Sequence, residues 1–362
     1  MKYDCSIKVN GREISISSPT YFIADIASNH DGDLDRAKKL IRLAKQAGAD
    51  AVKFQHFRAE DIVSDFGFKK LGQQVGHQAS WKESVFDVYK KYECNRGWTA
   101  ELLQTANEEE IDFFTTPYDF DALEIFKDIV PAFKIGSGDI TWTDFIKAVS
   151  SLGRPVILSS GASSIEDVIR AVDAAVESTK QIALLQCNTN YTGNRENFKY
   201  VNLSVLKTYS LLFPGMVLGL SDHTPGYSAV LGAVCMGGRI IEKHFTDDNS
   251  REGPDHAFAL DPQCWKRMVI STRELEMAIG DGIKRVEENE TETFVVQRRC
   301  LRVKKDMKAG DIITNDNVEV LRPAPHGSIP PYKLGIFRNK PLRNDKESGD
   351  ALFYSDFGET EC

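Results

Sequence analysis

The chain has 362 residues, 41% of them hydrophobic and 27% charged, with a formal net charge of −8. That length predicts two domains, or one large domain with an appendage, and a sizeable core. The acidic balance offers no polyanion-binding surface and so excludes nucleic acid, although a few local lysines and arginines could still hold a phosphorylated metabolite. No apolar run approaches the ~20 residues that a membrane span needs. The opening MKYDCSIKVNGREISIS lacks the apolar core of a signal peptide. Cys5, Cys94, Cys187, Cys235, Cys264, Cys300 and Cys362 are odd in number and form no Cys-x-x-Cys pair. They are expected to be reduced, in a cytoplasmic protein.

The first predicted element is a hairpin within residues 1–18, turning at Asn10-Gly11. From residue 21 onward, short apolar runs alternate with amphipathic segments. The runs are 21–28, 51–57, 112–118, 132–138, 155–161, 182–188, 216–223 and 239–245. Helical spacing follows each of them. Over 34–48, Leu34, Ala37, Leu40, Ile41 and Ala44 share one face, and Gly48 supplies a stop. SIEDVIRAVDAAV (164–176) opens on Ser164 with Asp167 three residues later, a capping-box start. Strand–helix alternation implies parallel strands, and eight such repeats imply a closed (β/α)8 barrel, the TIM-barrel class. The detour over 58–98 is too long for a plain connection, and long insertions on the C-terminal side of strands build sites. A last barrel helix near 262–280 completes a domain over 1–285. A polar linker is expected over 286–297, and a small domain of mixed short strands over 298–362.

Successive strand residues face opposite sides. In RIIEKHF (239–245), Ile241 suits the helix layer, so Glu242 and His244 face the lumen at the catalytic, C-terminal rim. By the same parity Lys53 and Gln55 face inward beside Val52 and Phe54, and Lys134 beside Phe133 and Ile135. Ser221 shares a face with His223. Buried charges are unfavourable by several kcal/mol each unless paired or bound. A single inward lysine could simply pair with Glu242, and a single histidine could be a satisfied core residue. Gathered at one rim, they predict a site. Two lysines in an enclosed space imply an anionic ligand, phosphate or carboxylate. Two histidines on neighbouring strands imply a divalent metal with open positions, with Mn, Zn, Fe and Co all compatible and Mg2+ less expected.

The motifs IADIASNHDGDLDRAKKL, FKIGSGDI, PVILSSGA, LSDHTPG, IIEKHF and GPDHAF, in that order, resemble the sialic acid (N-acylneuraminate) synthase family. KKDMKAGDIITNDNVEVLRP resembles that family's C-terminal SAF, or antifreeze-like, domain. The resemblance covers about residues 20 to 355. It implies condensation of phosphoenolpyruvate with an N-acyl hexosamine, giving a nine-carbon 2-keto acid and phosphate. It also implies a divalent metal, Mn2+ first with Mg2+ or Co2+ possible, on His223 and His244. Lys53, Lys134, Ser137, Ser159 and Thr116 would bind phosphoenolpyruvate. Gln55, Tyr191 and Asp255 would surround the sugar, and Asp25 and Glu242 would join the two histidines in catalysis. Arg322 would reach the partner's barrel in a domain-swapped homodimer, its planar fork suited to an N-acyl carbonyl.

The chain departs from that pattern in two places. Asp25 stands where the family commonly has Glu, one methylene longer, and a displacement of about 1 Å can lower a rate on the order of 100-fold. Around Tyr191, Thr189 replaces a more usual Asn or Ser, and the proline after the tyrosine is absent. The phosphoenolpyruvate end thus reads as intact while the sugar end differs, which points to an acceptor other than plain N-acetylmannosamine, such as a diamino-dideoxy sugar. Two alternatives stand beside this reading: condensation with a different aldose, and a catalytically weakened sugar-binding homologue.

Overall fold

The computed structural model describes residues 3–74 and 76–360. The chain separates into two compact units, Met1–Gly280 and Asp281–Cys362. The first unit opens with an antiparallel hairpin, β1 (Ser6–Val9) and β2 (Arg12–Ser15), turning at Asn10 and Gly11, both at positive φ. Eight strands follow: β3 (Tyr21–Asp25), β4 (Ala51–His56), β5 (Asp112–Pro117), β6 (Phe133–Ile135), β7 (Val156–Ser159), β8 (Ile182–Cys187), β9 (Val217–Asp222) and β10 (Ile240–His244). They close in sequence order, with β10 pairing back onto β3 and every pair parallel. The eight-repeat pattern therefore folds as the TIM barrel it implies.

Side-chain alternation decides what each strand residue buries. Phe22, Val52, Phe54, Phe133, Ile135 and Ile241 pack outward in one apolar layer with helix residues Ala37, Leu40, Ile41 and Ala44. Tyr21, Ile23, Ala51, Phe114, Ile157 and Ile240 fill the lumen floor, in one cluster with Ile7, Val9 and Ile14 of the hairpin. The hairpin therefore plugs the N-terminal end of the barrel. Its rim contacts agree: Asn10 donates to Asp112 at 2.9 Å, and Arg12 pairs with Asp50. With the floor filled, the lumen opens at the C-terminal rim.

Local signals set the helix ends. Asp33 caps Leu34–Gln46 by accepting from the Arg36 amide, and Gly48 leaves the helix at a φ of 94°. Ser164 and Asp167 form the reciprocal capping box at the start of Ile165–Val176. The 58–98 insertion carries three short helices, Ala59–Ile62, Asp65–Lys70 and Val85–Lys91, and a 3-10 turn over Gly76–Ser80.

The second unit has its own core around Leu301, Val303, Ile313 and Leu352, with β11 (Cys300–Val303) and β12 (Val318–Leu321) antiparallel. Within residues 286–297, expected as a polar linker, Thr291–Gln297 is helical, and the Ala324 amide donates to the Val295 carbonyl at 2.8 Å. This short helix leaves most of its residues exposed. Among the described residues no cysteine forms a disulfide, and no helix is long and apolar enough to cross a membrane. Cys362 lies outside the described residues.

Candidate active site

The barrel register brings four charged side chains together at the C-terminal rim. Asp25 sits opposite Lys53 and also opposite His244, while Glu242 sits opposite Ser221. Lys53 Nζ lies 2.8 Å from Asp25 Oδ2 and 3.5 Å from Glu242 Oε2. Lys134 Nζ lies 3.6 Å from Glu242 Oε1 and donates to Ser159 Oγ at 2.6 Å. Ser221 Oγ donates to Glu242 Oε1 at 2.9 Å. Each of these four charged groups is at most 5% exposed.

The electrostatics follow from crowding. Burial disfavours the Lys53 ammonium, but Asp25 and Glu242 more than offset it, and its pKa is raised. Lys134 is the opposite case: burial first, and then repulsion from Lys53, lower its pKa against the pull of Glu242. Burial alone would raise Glu242, but Lys134 and Lys53 hold it down to about 2. Glu242 Oε2 still has no hydrogen-bond partner although it is buried. Such a cluster is poor as a stabilising device, because each ion loses its hydration. Its two ammonium groups are donors suited to the oxygens of an anionic guest, phosphate or carboxylate.

Beside it, the His223 and His244 rings lie 5.3 Å apart between centroids. His223 Nδ1 lies 3.0 Å from the Asn188 carbonyl, which places the proton there and leaves the Nε2 lone pair available. Burial, reinforced by His244, lowers the His223 pKa well below its ordinary value, so the ring is neutral at pH 7. His244 Nε2 is 3.6 Å from Asp25 Oδ2, and its buried Nδ1 has no hydrogen-bond partner. Among the described residues no group of three or more His, Cys, Asp or Glu side chains has metal-holding geometry. Two adjacent imidazoles, one with an orphaned buried nitrogen, do fit a divalent ion whose remaining ligands are water or substrate oxygens.

All of these groups open into one cavity of about 540 Å3. Gln55 lines it and donates to Asp25 Oδ2 at 3.0 Å. Ser137, Ser159, Tyr191 and Asp255 line it as well, Asp255 accepting from the Ser28 amide at 3.2 Å. Ser137 Oγ also accepts from the Gly161 amide at 3.0 Å. A side chain at Gly161 would stand 2.4 Å from Thr189 Cγ2, so only glycine allows this approach. Thr116 does not line the cavity. It stands behind Lys53, accepting from Nζ at 3.4 Å. Arg322 is exposed in the second unit, directly after β12.

Several lining residues escape sequence reasoning. Tyr118 approaches Gln55 Oε1 at 3.4 Å through its hydroxyl. Asp139 has a buried Oδ2 without a partner, and burial raises its carboxyl to about 6. It lies within the quoted GSGD stretch, but nothing in its spacing marks it. His77, Trp81 and Tyr89 reach the cavity from the 58–98 insertion, whose length marked the segment but not these residues. Outside the lumen, Lys243 Nζ donates to Asp222 Oδ2 at 2.7 Å in a pair at most 1% exposed. Burial raises Cys187, behind His223, to about 11 and keeps it a thiol.

Comparison with known proteins adds the following. Residues 40–284 match the NeuB family and residues 298–358 the SAF domain. The chain is similar to the N,N'-diacetyllegionaminic acid synthase of Campylobacter jejuni, 35% identical over 333 residues that cover 90% of this chain and 98% of that protein. It is similar to the N-acetylneuraminate-9-phosphate synthase of Homo sapiens, 32% identical over 94% of each chain. The crystal structure of an N-acetylneuraminic acid synthetase from Leptospira borgpetersenii, in complex with citrate, superposes with a TM-score of 0.69 at 29% identity. That match covers 80% of this chain and 94% of the other.

Proposed function

The chain belongs to the NeuB family of carbon–carbon bond-forming synthases, and on that premise we propose that it condenses phosphoenolpyruvate with an N-acyl amino hexose and water. The products are a nine-carbon 2-keto sugar acid and inorganic phosphate. The observation that carries this reading is one cavity holding two buried ammonium groups, Lys53 and Lys134, against a two-histidine seat.

In this reading Lys53 and Lys134 balance the carboxylate and phosphate of the enol, with Ser137 and Ser159 as hydroxyl partners. They act as fixed charges and need no proton transfer. C3 of the enol attacks the aldehyde carbon of the open-chain sugar, and the aldehyde oxygen takes a proton. Positive character then develops at C2, where water adds, and the tetrahedral product expels phosphate. Asp25 takes the proton from that water, a role its position between Lys53 and His244 supports. Its neighbour Glu242 stabilises the charge at C2. When bound at His223 and His244, a divalent ion, Mn2+ first with Mg2+ or Co2+ as alternatives, would act as a Lewis acid toward the aldehyde. Gln55, Tyr191 and Asp255 surround the sugar. Arg322 of one chain completes the partner's site in a homodimer, where its guanidinium holds the N-acyl carbonyl.

Phosphate release from phosphoenolpyruvate, measured over a panel of N-acyl hexosamines with and without Mn2+, tests the function. Release is expected only with acceptor and metal together, and no release with any acceptor would sink the proposal. His223→Ala and His244→Ala should each lower kcat on the order of 1,000-fold, the loss of several kcal/mol of charge stabilisation. Both should also weaken Mn2+ binding in a direct titration while leaving the circular dichroism unchanged. Full activity in either variant would show that the ion sits elsewhere.

A further inference from the structure

The backbone that carries Arg322 is fastened on both sides within the second unit. Before it, Leu321 ends β12 and is the register partner of Cys300. After it, the Pro323 carbonyl accepts from Arg302 Nη2 at 2.6 Å, and the Cys300 thiol donates to the same oxygen at 3.3 Å. Ala324 is buried, and its amide donates to the Val295 carbonyl at 2.8 Å. Arg322 itself is exposed, and among the described residues its side chain has no hydrogen bond or ion pair. A free guanidinium on a fixed backbone has fewer conformations to lose when it takes up a guest.

Arg302 is committed to this fastening. Its register partner across β11 and β12 is Glu319, and opposite charges directly across a strand pair stabilise it. Among the described residues Arg302 makes no ion pair with Glu319. Its guanidinium turns instead to two carbonyls: Nη1 donates to Gly349 at 2.6 Å and Nη2 to Pro323. Its Nε is buried without a partner. A cation so placed loses hydration and gains only neutral acceptors, which is a poor arrangement for stability. It is a good one for geometry, because a planar fork fixes both acceptors in direction as well as distance.

We propose that Arg302 is the positioning residue of Arg322. By holding the Pro323 carbonyl it sets the direction in which Arg322 leaves the second unit, and so how well that guanidinium meets the acceptor. Arg302 touches neither substrate. The inference rests on the role proposed above for Arg322.

The test measures KM for phosphoenolpyruvate and for the best acceptor of the panel in three variants. Arg322→Ala removes the delivered group. Arg302→Met keeps an apolar stem and removes every donor. Phe337→Leu weakens the other apolar cluster of the second unit and controls for mere loss of stability, which urea unfolding follows in all three. Arg302→Met should raise the sugar KM roughly 10-fold and leave that of phosphoenolpyruvate within about 2-fold. Phe337→Leu should move neither. The double variant Arg302→Met/Arg322→Ala should match Arg322→Ala alone, since a positioning residue has nothing left to position. A parental sugar KM in Arg302→Met, additive effects in the double variant, or an equal rise in Phe337→Leu would each overturn the positioning role and leave that of Arg322 standing. An unmoved sugar KM in Arg322→Ala overturns the Arg322 role and this inference but spares the condensing reaction. No release by the parent chain overturns all three.

Discussion

Asp139 shows how one residue acquires chemistry from its surroundings. Burial lifts its carboxyl to about 6, above the ordinary 3.8. The folded protein therefore holds a proton that the unfolded chain would release nearer pH 4. Between those values the folded state binds more protons, so stability falls as pH rises. Asp139→Asn is neutral at every pH. It should be more stable than the parent at pH 7, by about 1–3 kcal/mol, and should lose the stability slope between about pH 4 and 6. Urea unfolding at several pH values measures both effects. A variant less stable at pH 7 would mean that the ionised carboxylate has a partner. Asp25 is the contrasting case. Its ion pair with Lys53 and its contacts with Gln55 and the Ala27 amide hold its carboxylate at the rim. Composition and spacing do not foretell the different environments of these two aspartates, because the difference lies in which neighbours the fold supplies.

At the scale of elements, strand parity accounts for most of the lumen. Lys53, Gln55, Lys134, Glu242 and His244 face inward because their neighbours are apolar and suit the helix layer. Parity says nothing of what the outward charges do. Lys243 and Asp222 are register partners on β10 and β9, each one residue before a histidine of the seat. Asp222 also accepts from the Thr224 amide and hydroxyl. This buried pair ties together the two strand ends that present His223 and His244. Lys243→Met would strand a buried carboxylate and should destabilise by about 3–5 kcal/mol. Adding Asp222→Asn should recover part of that, since the amide still accepts from Thr224. A double-mutant cycle in urea should therefore be non-additive, and additive values would show that the two residues do not act as a unit.

At the scale of the molecule, the first unit builds a cup. The hairpin closes its floor, the barrel forms its wall, and the 58–98 insertion raises one side of its rim. Arg322 belongs to a separate compact unit, and the proposed homodimer has it serve the partner's site. Mixed dimers test that. Lys134→Ala and Arg322→Ala chains, each impaired alone, should together regain about a quarter of the native sites when subunits exchange at random in a two-fold dimer. No recovery on mixing would place Arg322 in its own chain's site or in none.

The sequence by itself determined the eight-stranded parallel barrel, its strand positions to within a few residues, and that Lys53, Lys134, Glu242 and His244 face the lumen. Those follow from local periodicity, capping and parity, which neighbouring residues carry among themselves. Only the tertiary structure decided that Thr116 stands behind Lys53, that burial raises the Asp139 carboxyl to about 6, that residues 286–297 include a helix, and that Tyr191 packs against His223. Each of these depends on contacts between segments far apart in the chain, and no local pattern encodes the company that a side chain will keep.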